Sequence, residues 1–78
     1  MINESECVED EDGTIWWYLD GENHREDGPA REYEDGYKEW WLHDEEVEPE
    51  DVVDYNLAKG IFCYYNEQTQ QLIFEGDN

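Results

Sequence analysis

The chain has 78 residues, with 24 Asp and Glu against 4 Lys and Arg, and a formal net charge of −20. A chain this short makes one domain, 1–78, which hides only about 60% of the surface it exposes when unfolded. Its charge argues against direct binding of nucleic acid or anionic membrane and predicts attraction to basic partners.

High charge with low hydrophobicity is also the signature of disorder, but four Trp, six Tyr and two Phe argue for a folded chain. Cys7 and Cys63 have no metal or redox spacing and are expected as free thiols. Residues 1–6 carry neither a basic region nor an apolar stretch, so a signal peptide is not expected and a cytoplasmic location is. Apolar runs of five residues, 15–19 and 61–65, are too short to span a bilayer.

Taken in order, residues 1–10 are polar, with Cys7-Val8 positioned to pair as an edge strand against 14–19. The run Glu9-Asp10-Glu11-Asp12-Gly13 then makes a turn. It is not a calcium loop, because counting back from Gly13 places Val8 where the first ligand would stand. Strand 14–19 lies between Asp12-Gly13 and Asp20-Gly21, pairs that favour tight hairpin turns. Its alternation puts Ile15, Trp17 and Leu19 on one face and Thr14, Trp16 and Tyr18 on the other.

The pattern returns 23 residues later, at 37–42. Trp17 and Leu19 match Trp40 and Leu42, so this face is assigned to the core. Trp16 matches Glu39 and is the better candidate for an exposed aromatic. Between the copies, Gly28-Pro29 stops any ladder, and a strand over 30–33 is expected to resume after it. The result is a meander of three or four strands by residue 47.

The run His24-Arg25-Glu26-Asp27-Gly28-Pro29-Ala30, preceded by Trp17-Tyr18-Leu19-Asp20-Gly21-Glu22-Asn23, resembles the variant MORN-type repeats of phage and bacterial small proteins. The resemblance covers about residues 11–48, as two degenerate hairpin repeats. It implies a β-hairpin array used for interactions, with no shared catalytic residues. The second copy departs from it, with His43-Asp44 at the place of Asp20-Gly21 and Val47-Glu48-Pro49 at that of His24-Arg25-Glu26.

Residues 49–60 read as a helix over about 49–59: Pro49 opens it, Glu50 and Asp51 suit its positive end, and Gly60 stops it. Val53, Leu57 and either Val52 or Asn56 share the face that packs on the sheet. A C-terminal hairpin over 61–75 follows, with a loop of about five residues, and 76–78 are expected to fray. The fold class is thus α+β, mostly β: an antiparallel meander with one short helix and a C-terminal hairpin.

Enzyme chemistry finds no constellation. His24 and His43 sit at inequivalent repeat positions and are expected in solvated turns, without zinc spacing. There is no phosphate loop, Ser5 is the single serine, and carboxylates are too common for any pair to be diagnostic. No cofactor or metal is expected.

The feature that folding does not require is the acidic surplus. The candidate partner-binding residues are Glu9, Asp10, Glu11, Asp12, Glu34, Asp35, Asp44, Glu45, Glu46, Glu48, Glu50, Asp51 and Asp54, with Trp16 and Trp41, and Tyr37 beside them, as aromatic contacts. Outward carboxylates on a strand would recur about every 6.5 to 7 Å, close to the phosphate spacing of nucleic acid. The leading expectation is a non-enzymatic, phage-type inhibitor. It would mimic nucleic-acid charge and block the basic groove of a restriction, CRISPR-type defence or DNA-repair enzyme. The alternative is a MORN-type module, antitoxin-like or scaffolding, that binds a protein through its aromatics. Sheet edges leave a homodimer open.

Overall fold

Hairpin turns at short intervals fold the first half of the chain back on itself. The computed structural model describes residues 5–75, so the expected fraying of 76–78 lies outside the described residues. The strands are β1 (Glu6–Glu9), β2 (Ile15–Leu19), β3 (Glu22–Asn23), β4 (Arg31–Glu32), β5 (Lys38–Leu42) and β6 (Glu45–Val47). After them come helix α1 (Pro49–Ala58) and the hairpin strands β7 (Cys63–Asn66) and β8 (Gln71–Phe74). The expected class holds: a mostly β, antiparallel, meander-like sheet, one helix and a C-terminal hairpin.

The sheet runs β1-β2-β4-β5-β6, with β3 also paired to β2, so it has more strands before residue 47 than the three or four expected. The edge strand β1 pairs with β2 from Glu6 opposite Tyr18 to Glu9 opposite Ile15, as Cys7-Val8 suggested.

β3 and β4 occupy one strand position. Trp17 accepts a hydrogen bond from the His24 N–H at 3.0 Å and donates its own N–H to the Ala30 carbonyl at 2.8 Å. On the other side, the Arg25 N–H donates to Trp41 at 3.2 Å and the Ala30 N–H to Glu39 at 2.9 Å. Residues 26–29 therefore leave the sheet as a blister and return at Ala30, which is where Pro29 ceases to interrupt the ladder.

The turns follow their residues. Asp20 and Gly21 have φ of 52° and 83°, and in the second copy His43 and Asp44 have 49° and 69°. Both central residues are left-handed in each case, the geometry that matches strand twist. The copy keeps the turn but fills it with residues that strain there. Gln70 is a third such position, at φ 57° and exposed. Gln70→Gly is accordingly expected to raise stability by about 0.5 to 1 kcal/mol, read as a higher urea midpoint with unchanged slope.

Helix α1 and the β7–β8 hairpin pack on one face of the sheet, on the β5–β6 side. The core is Trp40, Val52 and Leu72, with Leu42, Val47, Val53, Tyr65 and Phe74 packed against it. Trp40 and Leu42 are thus where the repeat comparison put them. Trp17 and Leu19 are only half-buried, because the helix does not reach β2 and Arg25 from the blister covers Trp17 instead. The helix ends one residue earlier than expected, and its buried stripe is Val52 and Asn56. Leu57, expected on that face, is 42% exposed. Asn56 wins the inner position because its Nδ2 donates to the Glu26 carbonyl of the blister at 2.8 Å. In the hairpin, Phe62 and Tyr64 point out and Ile61, Cys63 and Tyr65 inward, as the alternation implied.

Candidate functional site

All thirteen candidate carboxylates are exposed: Glu9, Asp10, Glu11, Asp12, Glu34, Asp35, Asp44, Glu45, Glu46, Glu48, Glu50, Asp51 and Asp54. The topology gathers them in two groups. The β1–β2 and β4–β5 turns lie at one end of the sheet, bringing Glu9–Asp12 beside Glu34-Asp35. They touch closely enough that a Cβ at Gly13 would stand 3.1 Å from Glu34 Oε2. The second group follows the free edge of β6 from Asp44 through Glu48 into the first turns of α1. A cleft of about 270 Å³, lined by Gly36 and Tyr37 on one side and by Glu46, Glu48 and Pro49 on the other, lies between the groups.

The aspartates and glutamates in this set differ in role. Asp10 Oδ2 accepts from Trp16 Nε1 at 2.6 Å, Asp12 from the Thr14 N–H at 3.1 Å and Asp35 from the Tyr37 N–H at 3.0 Å. Asp44 accepts from the Asn23 N–H at 3.0 Å, and Asp51 from the Glu48 N–H at 3.0 Å. Asp12 and Asp35 thus close turns and Asp51 caps the helix, while Asp10 holds the Trp16 indole and Asp44 ties the second hairpin turn to β3. Among the described residues, the side chains of Glu9, Glu11, Glu34, Glu45, Glu46, Glu50 and Asp54 make no hydrogen bond or ion pair. They are surplus to the fold. The carboxylates sit in turns, on the β6 edge and at the helix start, not at alternate positions of one strand, so the expected phosphate-like ladder does not form.

The cations are spent internally. Arg25 pairs with Asp27 and Glu32, Arg31 with Glu39, Lys38 with Glu32, and Lys59 with Glu26. These are all the Lys and Arg in the chain. None of the thirteen candidate carboxylates is neutralised by them.

The expected contact aromatics are less free than the sequence suggested. Trp16 is half-buried, because the register sets it opposite Arg31, whose Cζ lies 3.5 Å from the indole centroid. Trp41 is also half-buried and donates Nε1–H to Glu39 at 3.0 Å. Tyr37 alone of the three is open, at 60% exposure.

His24 contradicts its expected place in a solvated turn: it is fully buried. Its Nδ1 accepts from the His43 backbone N–H at 2.9 Å, so the ring proton resides on Nε2, which donates to Glu26 at 2.8 Å. A neutral imidazole thus holds the second hairpin turn to the blister. Burial raises the Glu26 carboxyl, but hydrogen bonds from Lys59 and His24 outweigh it and hold it below its ordinary value. His43 is exposed, as expected.

The comparisons with known proteins decide nothing in favour of a family. No family model, curated protein or solved structure matches the chain. The blister itself shows what the run 24–30 does here: each of its residues is used in the fold. Arg25 stacks on Trp17 with Cζ 3.9 Å from the ring centroid, its Nε donates to Asp27 at 2.8 Å, and Gly28, Pro29 and Ala30 are buried.

Cys7 and Cys63 are not bonded to each other. Burial pushes the Cys63 thiol up despite a hydrogen bond from Asn56, which disfavours a reactive thiolate. Among the described residues, no group of His, Cys, Asp and Glu is placed to hold a metal ion, and no helix is long and apolar enough to cross a membrane. Sequence reasoning missed Arg31, Tyr33 and Glu39, which join Trp16 and Trp41 on the second face of the sheet. The period-two alternation of 30–33 was the available signal.

Proposed function

We propose that this protein is a non-enzymatic acidic inhibitor that occupies the basic groove of a nucleic-acid-binding protein and excludes nucleic acid by charge. One observation carries the reading: among the described residues thirteen exposed carboxylates lie outside every ion pair, while all four Lys and Arg are paired within the fold. Folding does not use the seven of them that make no hydrogen bond, and an unpaired field of one sign steers a basic partner and speeds encounter. The mimicry lies in the field and not in a regular spacing. Restriction, CRISPR-type defence and DNA-repair enzymes are the targets to try first, in a host cytoplasm.

Salt-dependent competition tests this. The protein is expected to displace nucleic acid from such an enzyme at low salt and to lose that ability steeply as salt rises. Changing Glu45, Glu46 and Glu50 to Gln should weaken binding roughly tenfold at low salt and flatten its salt dependence, without unfolding, because these side chains have no internal partner. Binding in which nucleic acid is never displaced would sink the proposal. A MORN-type interaction module remains the second reading, favoured by the sheet face that neither helix nor hairpin covers. Affinity unchanged by salt would single it out.

A further inference from the structure

Alternation along the strands separates the sheet into two faces. Trp40, Leu42 and Val47 point to the helix and hairpin. Trp16 and Tyr18 of β2, Arg31 of β4 with Tyr33 after it, and Glu39 and Trp41 of β5 point away. Among the described residues no helix or strand packs over them, and they are half-buried through contacts with each other.

At the centre of this face the chain shows how it takes up a guanidinium. Arg31 sits over Trp16 with its Cζ 3.5 Å from the ring centroid and 5.2 Å from that of Trp41, while Nη1 donates to Glu39 at 3.1 Å and to Tyr33 Oη at 2.8 Å. An aromatic ring on one flanking strand and a carboxylate on the other thus hold the arginine of the strand between them. The same two kinds of group, here directly opposite each other on adjacent strands, also occur on both sides of it. Tyr18 stands directly opposite Glu6 on β1, and Trp41 directly opposite Glu46 on β6. Directly opposite residues on paired strands keep their Cβ atoms about 5 Å apart. Arg31 reaches the Trp41 ring only at 5.2 Å and pairs with Glu39, so among the described residues no cation of the chain meets Glu6 or Glu46, the other three basic residues being engaged elsewhere.

We propose that this face is a docking surface for arginine side chains of a basic partner, with the Tyr18–Glu6 and Trp41–Glu46 pairs flanking Arg31 as the two receiving positions. The inference rests on the charge-mimicry reading and specifies the partner's chemistry. Arginine fits better than lysine: its planar guanidinium stacks on a ring and meets a carboxylate with two parallel donors, whereas an ammonium is a strongly hydrated point charge.

The test compares octa-arginine and octalysine peptides at matched ionic strength, by calorimetry and by the four indole N–H signals in NMR. Octa-arginine should bind on the order of tenfold more tightly, from about threefold per stacked guanidinium. The Trp16 and Trp41 signals should move while those of Trp17 and Trp40, on the other face, stay. Trp41→Ala and Glu46→Gln should each reduce the preference for arginine; Glu46→Gln keeps the fold because Glu46 has no internal partner. Equal affinity for the two peptides, or shifts confined to Trp17 and Trp40, overturns the arginine inference and leaves the charge reading standing. Binding of neither peptide at low salt removes both.

Discussion

Replacing His24 with alanine is expected to cost about 3 to 4 kcal/mol, a large share of the stability of a domain this size. The change empties a fully buried site and orphans two partners at once. The His43 N–H loses its acceptor in a turn already held at left-handed φ, and Glu26 loses one of its two donors. Urea unfolding followed by tryptophan emission reads the loss; a drop below about 1 kcal/mol would show that the imidazole is not the tie between turn and blister. The acid limb provides a second reading. Glu26 titrates below its ordinary 4.5 in the folded protein. Its contribution is therefore complete above that value and is lost as pH falls through the lower folded value. In the alanine variant part of this acid-dependent loss should vanish, leaving the part due to Lys59.

Arg25→Lys is expected to cost about 2 kcal/mol, nearly as much as Arg25→Ala. The reason is geometric. Arg25 stacks on Trp17, donates Nε–H to Asp27 and Nη1–H to the Pro29 carbonyl at 3.1 Å, and no ammonium can serve all three. The guanidinium also rests against a bare backbone, since a Cβ on Gly28 would stand 2.7 Å from Arg25 Cζ. Gly28→Ala should then expel the guanidinium, and its cost should not add to that of Arg25→Ala. Full additivity in a double-mutant cycle would mean that the two residues act separately.

These two residues also mark where sequence reading stopped. Period-two alternation between Asp-Gly turns located β2, its copy after Asp35-Gly36 located β5, and Pro49 and Gly60 bracketed the helix, because those signals are local. The blister has no periodicity, and an all-polar run such as His24 to Asp27 looks solvated. Its side chains are satisfied by neighbours two residues away, His24 by Glu26 and Arg25 by Asp27, and that is what lets them go inside. The exposure of the acidic residues followed from charge alone. Their division into engaged and unengaged carboxylates depended on which donor each reached, and Trp16 was misjudged because its cover, Arg31, comes from a strand whose register was unknown.

The two outer strands bear on solubility and self-association. An unpaired strand invites copies of the same chain to add to it and grow a fibre. Here β1 carries Glu6 and Glu9 and β6 carries Glu45 and Glu46, all exposed. Aligning either edge with its own copy would bring carboxylates face to face. Among the described residues two hydrogen-bonding edges thus stand open while repelling their own copies, and a strand that joins either edge must bring positive charge.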